Sequence, residues 1–183
     1  MPNRVVPLEF NWSMSPCGAG FNLRWKDGGV CEVTAFVEEM CVGPTTREVY
    51  LRYDFDSTHH FESRTVLLRF EGVCGVRTSP TFDHDAAKDE LEVLAHFDFS
   101  GLPEGSLGRA PFEIMKQIMN RYYNRWVETG VCPNPGCYVV EASDWLRDSL
   151  QNREGVQHYL LIDREMFIEL TARELHVDQI VDR

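Results

Sequence analysis

Apolar and polar residues alternate through most of the first half of the chain. "FNLRW" alternates, "KDGG" turns, and "VCEVTAFVEEM" alternates again. Asp27-Gly28-Gly29 supplies the positive φ that a tight hairpin needs, so this stretch predicts two paired strands. "REVYLRYDFD" alternates from Val49 to Phe55, and "ELEVLAHFDFS" from Leu91 to Phe99. Between them "RTVLLRFEGVCGVRT" is a longer β-rich run, in which Gly72 and Gly75 suggest a bulge or a close backbone approach. Turn-rich segments separate these runs, which favours antiparallel pairing over βαβ crossovers.

The period changes after the Gly/Pro loop "GLPEGSLGRA". In "PFEIMKQIMNRYYNRWVETG" Phe112, Met115, Met119, Tyr122 and Trp126 recur at helical spacing, and Ile114 and Ile118 widen the stripe. Pro111 suits a first helical turn, Gly130 suits the stop, and Pro133 follows it. This is the long helix of the molecule, and its Met and aromatic stripe reads as core packing. "CYVVEA" reads as a short strand. "SDWLRDSL" reads as a short helix with Ser143 as N-cap and Asp144 in its first turn. "HYLLIDREMFIELTARELHV" reads as two strands around a turn near Asp163-Arg164-Glu165. The expected fold is α+β, one domain over 1–183. A mostly antiparallel, curved sheet carries one long helix packed on it and a short second helix, with a barrel-like closure as the alternative.

The 183 residues are 43% hydrophobic and 11% aromatic, a globular composition with length enough for a core. No apolar run has signal-peptide or membrane-span length, so the expectation is a cytoplasmic protein with no membrane partner. Lys and Arg total 18 against 29 Asp and Glu, a net charge of −11. That balance disfavours nucleic acid and suits a protein partner with a basic surface. In "DHDAAKDELE" five carboxylates, Asp83, Asp85, Asp89, Glu90 and Glu92, face only Lys88 and His84. This block is the candidate partner-binding surface, against the plainer reading of a solvated loop.

Chemistry is sparse. Cys132 and Cys137 bracket Pro-Asn-Pro-Gly, but no second close ligand pair accompanies them, as a zinc knuckle would want. The C-x-x-C spacing of a redox pair is also missing. Cys17, Cys31, Cys41 and Cys74 stand apart, and neighbouring His59 and His60 would point to opposite faces of a strand. The expectation is therefore free, reduced thiols, with no cofactor and no stoichiometric metal. There is no G-x-S-x-G, no P-loop and no dinucleotide fingerprint, so no catalytic residue is named. Paired carboxylates such as Glu38-Glu39 or Asp54 and Asp56 are expected in any acidic chain.

At "ETGVCPNPGCYVVEASDWLRD", "HYLLIDREMFIELTA" and "TVLLRFEGVCGVRT" the chain resembles small uncharacterised bacterial proteins, among them immunity proteins of polymorphic toxin systems. The resemblance covers about a third of the chain and carries no functional residue across. It implies an α+β fold and a non-enzymatic protein that binds and neutralises or regulates a protein partner. A small-molecule binding module, with its pocket between sheet and helix, is the second expectation. An enzyme assembled from distant residues is the third.

Overall fold

The structure is a computed structural model that describes residues 4–14, 21–43, 59–80, 112–148, 154–163 and 166–181. Two five-stranded antiparallel sheets hold the strands. The first runs β1 (Arg4–Pro7), β7 (Cys137–Glu141), β8 (Gln157–Ile162), β9 (Met166–Ala172), β6 (Gly75–Pro80). The second runs β10 (Glu174–Val181), β5 (His59–Glu71), β4 (Val30–Val42), β2 (Trp12–Met14), with β3 (Asn22–Lys26) also paired to β4. Two helices complete the described elements, α1 (Phe112–Thr129) and α2 (Asp144–Asp148).

The sheets face each other across one core. Cys31, Val33, Ala35 and Val37 of β4 and Val66, Leu68 and Phe70 of β5 meet Tyr159, Leu161, Ile168, Leu170 and Ala172 from the other layer. Phe70 sets its edge against Tyr159, with centroids 5.3 Å apart. Alternation explains the pattern: every second residue of β4 and β5 points inward, and burying a Val, Leu or Phe there contributes about 1.5–3 kcal/mol.

This architecture corrects the expected fold. The molecule is a two-sheet sandwich, not a single curved sheet under a long helix, and neither sheet closes into a barrel. Alternating strands look the same in sequence whether one sheet curves or two sheets stack, because one face is buried either way. The corners decide it. Gly72, with φ of 63°, is not a bulge within one strand but the point where the chain leaves β5 and enters β6 in the opposite layer. Val73 N–H donates to Gly29 C=O and Cys74 N–H to Thr171 C=O, which fastens that corner. A second crossing lies at Arg173, whose N–H donates to Glu71 C=O, so the final segment holds three strands rather than two.

Helix α1 does not lie along a sheet either. Among its described side chains, Tyr122, Tyr123, Trp126 and Val127 reach the rest of the molecule, all in its last turns. They meet Met40 and Phe61, neighbours on β4 and β5, together with buried Cys132. Gly130 ends the helix with φ of 67° and returns a hydrogen bond to Trp126 C=O. The β4–β5 ribbon is longer than the opposite sheet can cover, and Met40 and Phe61 lie on its outer face. The near half of the ribbon is covered on its inner face by the other sheet, and the far half on its outer face by the end of α1.

Candidate functional site

The register of β4 and β5 is unbroken from Cys31 opposite Phe70 to Val42 opposite His59. The inner face therefore continues past the apolar core, and there it turns polar. Arg64 stands opposite Val37, Glu62 opposite Glu39, and His60 opposite Cys41. Trp12 of β2, stacked on Phe10, is paired with Glu39 on the same side. Arg64 binds both carboxylates: Nη2 lies 2.6 Å from Glu62 Oε2 and Nε 3.3 Å from Glu39 Oε2. The other oxygen of Glu62 lies 3.1 Å from His60 Nε2. His60 is 7% exposed, and its Nδ1 is buried with no hydrogen-bond partner. Burial, then the charges of Glu39 and Glu62, hold the Cys41 thiol above its ordinary pKa, with Arg64 opposing them.

A second polar cluster lies on the outer face of the other sheet. His158 Nδ1 and the Ser143 hydroxyl are 2.8 Å apart, and His158 Nε2 faces Glu169 Oε1 at 3.2 Å, out of line for a hydrogen bond. The three types are those of a serine hydrolase, but the arrangement serves packing. Ser143 caps α2, accepting from Leu146 N–H at 3.2 Å, and is itself buried. In the hydrolase arrangement the serine meets Nε2 and the carboxylate Nδ1, the reverse of what is found here. Trp145 stands edge-on to the His158 ring, and Arg77 lies 4.0 Å over the indole. Together these contacts pin α2 to the sheet.

The Pro-Asn-Pro-Gly turn is built into the core. Cys132 and Cys137 are both wholly buried, but in different clusters, Cys132 beneath α1 and Cys137 between the sheets. Cys132 N–H donates to Phe10 C=O, Met14 N–H to Pro135 C=O, and Ile162 N–H to Gly136 C=O. Burial raises both thiols, that of Cys132 to about 12, so neither supplies a thiolate near neutral pH. Cys31, Cys41, Cys132 and Cys137 are free thiols among the described residues.

The candidate partner surface of Asp83, Asp85, Asp89, Glu90 and Glu92 lies outside the described residues. What the structure does display is the edge strand β3. It pairs with β4 on one side, and among the described residues no strand lies on its other side. Leu23 and Trp25 stand opposite Val33 and Cys31, on the core-facing side. Leu23 tucks against the core, whereas Trp25 overhangs the rim and is 55% exposed. Arg24 and Lys26 occupy the opposite face, where Lys26 pairs with Glu32 at 3.3 Å.

The sequence reading missed both Trp25 and the Cys41, His60 and Glu62 group. Alternation in "FNLRW" does place Leu23 and Trp25 on one face, but nothing in it shows that β3 is an edge. Likewise "EEMCV" and "HHFESR" each alternate, and only their register brings the thiol, the imidazole and the carboxylates together.

No family model, no curated protein and no solved structure matches this chain. Among the described residues no helix is long and apolar enough to cross a membrane.

Proposed function

We propose that the protein binds another protein and neutralises or regulates it, in the manner of an immunity protein, with a partner strand added to the open side of β3. The observation that carries this reading is Trp25. A sheet edge offers unpaired N–H and C=O groups to an incoming strand, and natural edges are usually blunted against that. Here a large indole is left in water on the edge strand instead, and tryptophan is among the commonest anchors of protein interfaces. The net charge of −11 steers the approach of a basic partner from a distance.

A pocket between sheet and helix has less to recommend it, because among the described side chains α1 meets the ribbon through its last turns. The test compares wild type with Trp25→Ala and Leu23→Pro. Proteins captured from the native host by wild type are identified by mass spectrometry, purified, and measured by surface plasmon resonance. A partner held through β3 should lose about 30-fold or more in affinity on Trp25→Ala, the scale of a central anchor of about 2 kcal/mol. It should lose binding on Leu23→Pro, which removes an edge N–H. A partner bound equally by all three chains would place the interface elsewhere. Dimerisation of wild type, abolished by Trp25→Ala in sedimentation, would make the occupant a second copy and overturn the proposal.

A further inference from the structure

We propose that Cys41, His60 and Glu62 form a binding site for a divalent transition ion of the zinc class. One ligand atom from each of the three lies within 4.8 Å of the others. Zinc held by S, N and O at about 2.0–2.3 Å in tetrahedral geometry keeps its ligand atoms about 3.3–3.6 Å apart. His60 Nε2 and Glu62 Oε1, at 3.1 Å, already stand near that spacing, and small side-chain rotations bring in the sulfur. The donors sit on two adjacent strands in fixed register, so no backbone movement is needed.

The donor set selects the class of ion. A thiolate, an imidazole and one carboxylate suit zinc and its neighbours; calcium and magnesium take oxygen ligands. Three protein ligands leave a fourth position for water or for a group from elsewhere. His60 supplies the buried imidazole. Its ring is nine-tenths buried, one nitrogen has no hydrogen-bond partner, and the other meets a carboxylate. Nε2, which faces Glu62 Oε1, is the nitrogen that would meet the ion, since imidazole ligates zinc through either ring nitrogen.

The surroundings complete the case. Arg64 holds Glu62 by Oε2, which leaves Oε1 turned to His60 as a one-oxygen ligand. Glu39, Glu62 and a Cys41 thiolate carry three negative charges against one positive charge on Arg64, and a divalent cation balances the remainder. The other described group of this kind, Glu71, Glu174 and His176, is largely exposed and has no sulfur. The inference runs against the expectation of a metal-free chain, which considered only ligands close in sequence.

Cobalt(II) is the probe, because a thiolate ligand gives it a near-ultraviolet charge-transfer band. The full chain, stripped with chelator and exchanged into metal-free buffer, is titrated with cobalt(II) and then with zinc(II). The expected result is one ion per chain, a charge-transfer band, and displacement of cobalt by zinc. Cys41→Ser should abolish the band, and Glu62→Gln should weaken binding at least tenfold. Both should keep the wild-type circular dichroism in chelator. Folded wild type with no charge-transfer band overturns the proposal whether or not the variants fold. So does a band that survives Cys41→Ser, which would put the thiolate ligand elsewhere.

Discussion

The indole N–H of Trp126 donates to Oδ1 of Asn11 over 3.1 Å, joining residues 115 positions apart in the chain. The same asparagine donates through Nδ2 to Met40 C=O at 2.9 Å, so one side chain ties the end of α1 to β4. Trp126 is 1% exposed and stands 5.2 Å from the Phe61 ring, centroid to centroid. Trp126→Ala should cost about 3–5 kcal/mol in urea unfolding, the usual penalty for emptying such a site. Asn11→Ala should cost about 1–3 kcal/mol by leaving a buried N–H unpaired. A loss below about 1 kcal/mol for Trp126→Ala would mean that this contact does not hold the helix.

Gly130 and Gly136 separate two reasons for glycine. Both have positive φ, 67° and 73°. A methyl group at Gly130 would meet nothing, so Gly130→Ala should cost about 1–2 kcal/mol from the backbone alone. At Gly136 the added carbon would fall 2.7 Å from Ile162 C=O and against the Met14 side chain. Gly136→Ala should therefore cost about 1–3 kcal/mol more than Gly130→Ala. Equal melting temperatures for the two variants would contradict this.

Buried thiols make the fold sensitive to alkali. Burial together with Glu32 lifts Cys31 to about 11, and burial lifts Cys132 to about 12, against an ordinary thiol near 9. The unfolded chain thus loses these protons first as pH rises, and deprotonation favours unfolding. Stability from these groups is complete below about pH 8 and falls between about pH 9 and 12. Buried Tyr122 and Tyr138, also raised by burial, act in the same sense. The urea midpoint should fall from pH 7.5 to pH 10.5, and Cys31→Ala should fall less steeply. A midpoint that holds steady in wild type rejects the idea.

Ser143→Ala removes two bonds at once, the α2 cap and the contact with His158 Nδ1. A cost of about 1–3 kcal/mol is expected, above an ordinary exposed cap. Ser143→Thr keeps the hydroxyl and should recover most of it. Thermal unfolding of the three chains decides the matter; equal stability of Ser143→Ala and wild type would show that the cluster does not pin the helix.

Individual elements were legible in the sequence where local chemistry sets them. Asp27-Gly28-Gly29 marked the hairpin between β3 and β4, and Gly130 marked the end of α1. The layering was not legible. Gly72 reads as a bulge or a close backbone approach, not as a corner, and nothing near Arg173 marks β9 passing into β10 in the other sheet. The Cys41, His60 and Glu62 group was hidden for a related reason. Period two assigns each residue to a face of its own strand, but which residues meet across strands depends on register, and register is a property of the folded pair.

The crossings between layers have a consequence for synthesis. The β4–β5 ribbon is local in the chain and can pair early. Its inner face, with Val33, Val66, Leu68 and Phe70, lacks Tyr159, Leu161, Ile168 and Leu170 as cover until β8 and β9 exist, since Phe70 meets Tyr159. Roughly 90 residues separate those two rings, or about 5–18 s of translation at ~5–20 residues per second. For that interval the ribosome presents a long, half-made hairpin with an incompletely covered apolar face. A nascent chain stalled before Gln157 should bind chaperones or aggregate, whereas one released after Val181 can shut the sandwich at once.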